Sequence, residues 1–193
     1  GYNHKNQNNV VHNQLIILRN KINSSKDLKK YQAQIKSIER KITIFHAVSV
    51  NQILKKNKVN IEFIGFHGQT IFHSAKEKIT RQIGDANLLS KLTKKRVVYD
   101  FRKNDLKNNG QGAPLAPIFH KLIVKQNKIK TPVIIINLGG IANYTIILKD
   151  SKTIKDCLFS KDSGPGNCLI DKWVRKNSNN HYDKDGKLAK SGK

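Results

Sequence analysis

The sequence predicts an α/β protein, and three observations carry that reading. Apolar residues recur at helical spacing over 12–23 and 27–57. From residue 61 onward, short β-type runs alternate with helical ones. Two glycine-centred turns, in INLGGIANYTII and DSGPGNCLIDKW, are each fed by a β-type segment.

Taken in order, residues 12–23 place Leu15, Ile16, Leu18 and Ile22 on one side of a short amphipathic helix. From Asp27 to about Asn57 the positions Leu28, Tyr31, Ile35, Ile38, Ile42 and Phe45 step by three and four. That is a helix with one narrow buried stripe, too short for a sustained coiled-coil seam and suited to packing on a sheet. IEFIGF (61–66) reads as a strand, HGQTIFH as a return to extended structure, and RQIGD (81–85) as extended. ANLLSKL (86–92) is a short helix and RVVYDF (96–101) a strand. Residues 102–112 are expected to form a polar, glycine-bearing loop, after which Pro114 suits the first position of a helix. A polar linker at 127–131 precedes TPVIIINL, hairpinned through Gly139-Gly140 into IANYTIIL, with a further strand near 154–159. A domain boundary is expected near residue 130.

The chain of 193 residues carries a formal charge of +24, which suggests nucleic acid or an anionic membrane. The kind of basic residue argues against both. Six are Arg and 31 are Lys, spread along the chain beside 21 Asn and 24 Ile. Phosphate and base readers favour Arg forks and stacked aromatics, and neither is clustered here. Lys, Asn and Ile share A/T-rich codons, so coding bias accounts for much of the charge, and neither nucleic acid nor membrane is expected as a partner. Cys157 and Cys168 offer no metal spacing and no disulfide framework, which predicts reduced thiols and a cytoplasmic location. No apolar run reaches the roughly 18–20 residues of a membrane span.

Chemistry concentrates at the glycine turns. Asp162 stands just ahead of a Gly-Pro-Gly-Asn segment that opens onto a helix, and amides at a helix start favour anions. Gly139 and Gly140 lack Cβ atoms, so backbone there can approach a phosphate closely. No GxxxxGK[ST] is present, and Gly110-Gln-Gly112 has only part of a dinucleotide fingerprint. His67-Gly68-Gln69-Thr70, Asp100, Arg102, Asp105 and Gln111-Gly112 each fall where a strand is predicted to end, which is where open α/β sheets bind ligands. Gln69, Asn143 and Asn167 could hydrogen-bond sugar hydroxyls or phosphate oxygens, although each also suits a turn. His67 and His73 could ligate a metal, but half-buried, satisfied histidines fit them better. Trp173, with Leu169 and Ile170, is expected to pack its helix.

In order, IGFHGQTIFH, QIGDANLLS, VVYDFRKNDLKNNGQGAPLAPIFH, INLGGIANYTII and DSGPGNCLIDKW resemble the signature series of anhydro-N-acetylmuramic acid kinases. These are bacterial sugar kinases of the ribonuclease H-like, actin/hexokinase-like ATPase superfamily. The resemblance covers about residues 61–186, including YDKDG, and weakens over 1–60. It implies two domains flanking a cleft, both incomplete in this chain. Residues 1–130 would be part of the sugar-side domain, lacking its N-terminal phosphate loop, and 131–193 the start of the nucleotide-side domain. It also implies a reaction in peptidoglycan recycling. The 1,6-anhydro bridge of the sugar is hydrolysed while O6 receives the γ-phosphoryl group of ATP, giving N-acetylmuramate 6-phosphate and ADP, with Mg²⁺ as the accompanying ion.

By the same resemblance Asp162 is the catalytic base, and Gly139, Gly140, Asn143, Gly164, Gly166 and Asn167 lie on the nucleotide phosphates. His67, Gln69, Thr70, Asp100, Arg102, Asp105, Gln111 and Gly112 fall on the sugar side, with Arg102 a partner for the lactyl carboxylate. A homodimer of the intact protein is compatible with it. The family's opening Gly-Thr-Ser-x-Asp-Gly loop and its closing adenosine-binding segment do not occur here. The chain is therefore expected to be a fragment with little or no turnover of its own. Two other readings are weighed: another sugar or acetate kinase of the superfamily, and a basic nucleic-acid-binding module supported by charge alone.

Overall fold

The computed structural model describes residues 9–149 and 157–192. They form a mixed α/β chain with small sheets, divided into two compact units, one ending at Ala113 and the other beginning at Pro114.

The first unit runs α1 (Asn9–Lys21), α2 (Ser25–Lys30), α3 (Gln32–Asn57), β1 (Phe63–Phe66), β2 (Gln69–Ser74), β3 (Ile79–Ile83), α4 (Ala86–Thr93), β4 (Arg96–Tyr99) and α5 (Phe101–Lys107). The stripe read from the sequence is the one that packs. Ile35, Ile38 and Ile42 are buried with Leu15, Leu18 and Ile22, and with Ile71 and Ile83 from the β2–β3 hairpin. Ile16, placed by the sequence on the apolar side of α1, is exposed instead. The helix expected over 27–57 is divided at Tyr31, whose φ of −100° and ψ of 19° separate α2 from α3. Strands β1 and β4 pair in parallel, from Phe63 opposite Arg96 to Phe66 opposite Tyr99. Their carboxyl ends therefore lie at one edge, and the segments that follow them, His67 onward and Asp100 onward, emerge side by side.

Two expectations are corrected here. Residues 102–112 are not all loop, because α5 occupies Phe101–Lys107. Its seven residues are mostly polar and give no periodic signal, and the burial of Leu106 is what holds the helix down. Pro114 does not open the next helix. That helix, α6, spans Ala116–Gln126 and carries Pro117 in its first turn.

The second unit contains α6, β5 (Val133–Leu138), β6 (Ile141–Ile147), β7 (Leu158–Pro165), α7 (Asn167–Asn177), a 3-10 turn at Lys184–Gly186 and α8 (Lys187–Ser191). The three strands form an antiparallel sheet in the order β5-β6-β7. Helix α6 packs on β6 and β7, so it groups with the sheet that follows it. The units consequently separate at Ala113/Pro114, upstream of the polar linker at 127–131.

The strand expected near 154–159 begins, among the described residues, at Leu158 and runs on to Pro165, while residues 150–156 lie outside the description. Gly164 and Pro165 of the Gly-Pro-Gly-Asn segment are thus strand, Asn167 is helix, and Gly166 alone connects β7 to α7. Proline has no N–H to donate and tolerates a strand terminus. On α7 only Val174 is buried. Leu169, Ile170 and Trp173 are exposed rather than packed, and they line an apolar pocket with Leu188 and Ala189. Among the described residues no helix is long and apolar enough to cross a membrane.

Among the described residues three helix starts rest on carboxylates: Asp85 accepts from the Leu88 amide at 2.9 Å at the start of α4, and Asp27 and Asp183 serve α2 and α8. Asp27 lies below the ordinary carboxylate range because the Ser24 hydroxyl donates to it, with the Asn23 and Ser24 amides adding to the effect. Asp183 is lowered because the Leu188 and Ala189 amides donate to it. A carboxyl whose folded pKa lies below its unfolded value of 3.8 stabilises the fold above that value. The contribution is lost as pH falls through the lowered folded value. Acidification below about pH 4 should therefore fray α2 and α8 before α3. Backbone NMR shifts followed down the pH series would report it, and loss of α3 first would contradict it.

Candidate active site

In the first unit, the polar segments after the parallel strands come together. The His67 ring is held at both nitrogens. Nδ1 lies 2.9 Å from the Gly68 carbonyl oxygen, and Nε2 accepts from Arg102 Nε at 3.1 Å. These partners require the neutral ring with its proton on Nδ1. Arg102 is reached from α5 and His67 from the end of β1, so the parallel pairing is what brings them together. Among the described residues no carboxylate lies within ion-pair distance of Arg102, whose terminal nitrogens can still bind an anion.

Asp100 opens α5 in the left-handed region, with φ of 60°, and its carboxylate pairs with Lys103 Nζ at 2.5 Å. Asp105 faces the loop ahead: its Oδ2 accepts from the Gly112 amide at 2.7 Å. A side chain at Gly110 would collide with that carboxylate. Gly112 is buried with φ of 70° beside Leu106 and the His73 ring, which leaves Gln111 exposed on the loop. Gln69 is exposed at the start of β2, and Thr70 Oγ1 accepts from Gln82 Nε2 at 3.3 Å. His73 is half-buried against Thr80 and meets no metal-binding partner among the described residues.

In the second unit, Asp162 is exposed on β7 directly opposite Asn143 of β6. Side chains of opposed residues share a face, with Cβ atoms about 4.5–5.5 Å apart. The register slips by one at this point, because Ala142 faces Gly164 while Asn143 faces Asp162. Ser163 is the extra residue of the bulge, and its hydroxyl donates to the Ala142 carbonyl at 3.1 Å. Bulges of this kind re-aim a strand next to functional groups. Behind Asp162 on the same face lie Ser160 and Thr145, and Thr145 Oγ1 is 2.9 Å from His120 Nδ1 of α6. Sequence reading missed this polar row, since nothing local ties His120 to residue 145.

The Gly139-Gly140 turn and the start of α7 are joined backbone to backbone. The amides of Gly166 and Cys168 donate to the Gly140 carbonyl at 2.9 and 3.2 Å, and that of Asn167 donates to the Gly139 carbonyl at 2.8 Å. Asn167 Nδ2 also donates to the Leu138 carbonyl at 3.3 Å. This corrects one expectation: those three amides are spent on the hairpin and do not stand free for an anion. The glycines divide accordingly. Any Cβ at Gly166 would strike the Gly139 carbonyl oxygen, and Gly164 has φ of 151°. Gly139 and Gly140, by contrast, have no positive φ, and a Cβ there would meet only ordinary contacts. The fold itself therefore does not require glycine at 139 or 140.

The anhydro-N-acetylmuramic acid kinase family matches residues 12–193 of this chain. The chain belongs to that family. The match extends the likeness upstream of residue 61, through α1 and α3, where the sequence motifs are weak. It is 55% identical to the anhydro-N-acetylmuramic acid kinase of Pelagibacter ubique over 95% of the chain and 48% of that relative. It is 39% identical to that of Brucella canis over 86% of the chain and 45% of the relative. With that of Agrobacterium fabrum it shares 42% identity over 80% of the chain and 41% of the relative. The chain thus spans about half the length of the curated anhydro-N-acetylmuramic acid kinases it matches.

Proposed function

We propose that this chain is half of an ATP-dependent kinase that opens the 1,6-anhydro bridge of anhydro-N-acetylmuramic acid and phosphorylates O6. The family match supports the reading, and Asp162 gives it a chemical centre. In this mechanism a water attacks C1 and gives its proton to the Asp162 carboxylate. The C1–O6 bond breaks, and O6 takes the γ-phosphoryl group as ADP leaves. A carboxylate suits the step twice over: it accepts the proton, and its charge favours the cationic character developing at C1. The open Gly139-Gly140 turn admits the phosphates, while Gly166 and Asn167 hold that turn in place. Asn143, directly across from Asp162, orients the carboxylate or a phosphate oxygen.

The described residues gather no group of three His, Cys, Asp or Glu side chains. The Mg²⁺ that accompanies ATP in phosphoryl transfer would be carried by the nucleotide phosphates and water. In the first unit, Arg102 receives the lactyl carboxylate through its terminal nitrogens, with His67 fixing the guanidinium from behind. Thr70 has its oxygen engaged by Gln82 and so offers its hydroxyl proton to a sugar oxygen. The family match supports an actin/hexokinase-like plan in which the first unit carries the sugar side.

Release of ADP by the full-length protein only when 1,6-anhydro-N-acetylmuramic acid is supplied tests the reading. Release with acetate or with unbridged N-acetylmuramic acid at equal rate would overturn it. Replacing Arg102 with Lys removes the fork and the contact to His67. It should raise KM for the sugar by about tenfold or more, as loss of a charged hydrogen bond requires, with KM for ATP unchanged.

A further inference from the structure

We infer that Glu39, in the middle of α3, is a positioning residue for the sugar-binding turn at 67–70, acting through Gly84. The inference rests on the sugar-side reading of that turn. It begins from a carboxylate with two duties. Glu39 Oε1 accepts from Arg81 Nη2 at 2.8 Å and from the Gly84 amide at 3.0 Å, and the side chain is only 15% exposed. One turn further along α3, the buried Thr43 repeats the arrangement. Its hydroxyl donates to the Glu39 carbonyl at 2.7 Å and accepts from the Asp85 amide at 2.9 Å. Two successive amides of the turn after β3 are thus fastened to one face of α3.

That turn is the seat on which the next one rests. Gly84 has φ of 147°, and a Cβ there would lie 2.5 Å from the Phe66 ring and 3.5 Å from the Gly68 Cα. Gly68 has φ of 69°, and a Cβ on it would lie 2.6 Å from the Ile83 carbonyl oxygen. The segments 66–68 and 83–85 are stacked with no room between them, and Gln69 is paired with Ile83 in the hairpin. Any drift of Gly84 away from α3 is therefore passed to Gly68, and so to His67 with its bond to Arg102. Arg81 supports Glu39 from the other side, and it also donates to the Gln82 carbonyl at 3.2 Å. Glu39 touches no substrate in this scheme. It fixes where the turn stands.

Two readouts test the inference in the full-length protein. The first is hydrogen exchange of the amides of residues 67–70 without ligand. Glu39→Ala should accelerate it by about tenfold or more, as expected for the loss of a charged acceptor, while α3 and α4 keep their protection. Glu39→Gln retains an oxygen for the Gly84 amide and should restore most of the protection. The second is kinetic: Glu39→Ala should raise KM for the anhydro sugar with little change in kcat or in KM for ATP, and Gln should rescue it. Unchanged exchange at 67–70 in folded Glu39→Ala overturns the inference. So does faster exchange there with sugar KM unmoved. If Glu39→Ala does not fold, Thr43→Val, which takes the acceptor from the Asp85 amide, is the loss variant in its place, and unchanged exchange at 67–70 in it overturns the inference. If the unsubstituted protein shows no dependence on the sugar, the kinase reading fails at that step, while the exchange result still reports whether α3 governs the turn.

Discussion

Asp162→Asn in the full-length protein is expected to lower kcat by about 10²–10⁴-fold, the usual contribution of a positioned base. Asparagine matches the carboxylate in shape and keeps a hydrogen-bonding oxygen, but it cannot accept the proton of the attacking water. The exposed position matters to the design of the experiment. Because Asp162 is exposed on β7, its replacement should leave the melting transition where it was. Sugar binding measured by calorimetry should persist, since the groups proposed to hold the sugar lie in the other unit. A turnover close to that of the unsubstituted enzyme would remove Asp162 from its role. A lost melting transition would assign it to the fold.

The second large effect separates two kinds of glycine within one turn-and-helix junction. Gly166→Ala forces a methyl group onto the Gly139 carbonyl oxygen and pulls apart the backbone bonds that join hairpin and helix. Overpacking of this kind costs about 1–3 kcal/mol, and a marginal second unit should show it as a clear drop in melting temperature. Gly140→Ala meets only an ordinary contact with the Cys168 side chain and should leave melting unchanged. If the turn admits phosphates, that same methyl group should raise KM for ATP by about tenfold, the effect of one lost charged hydrogen bond. Equal effects of the two substitutions on stability would contradict the division drawn here.

Much of this fold is legible in the residues because its signals are local. The stripe Ile35, Ile38 and Ile42 reports the buried face of α3 without any knowledge of what covers it. The β-type runs on either side of Gly139-Gly140 give the β5–β6 hairpin, and its register follows from the turn. What was not legible depends on partners distant in sequence. Helix α5 is polar in five of its seven positions, Phe101 and Leu106 being the exceptions, and only the burial of Leu106 betrays it. Strand β7 continues through Asp162, Gly164 and Pro165, residues that read as loop, because β6 supplies the pairing. The spent amides of Gly166, Asn167 and Cys168 were invisible for the same reason. A helix start looks open to anions until the carbonyls that occupy it are seen. Glu39 is 45 residues from Gly84, and no spacing rule connects a mid-helix carboxylate to that amide.

The fusion of the hairpin tip to α7 has a practical consequence. Trp173 is the sole tryptophan of the chain, it stands on α7, and 59% of its surface is open. Its fluorescence is therefore an intrinsic optical gauge of the helix that the hairpin tip holds, and of the apolar pocket that this helix shares with Leu188 and Ala189, without attaching a dye.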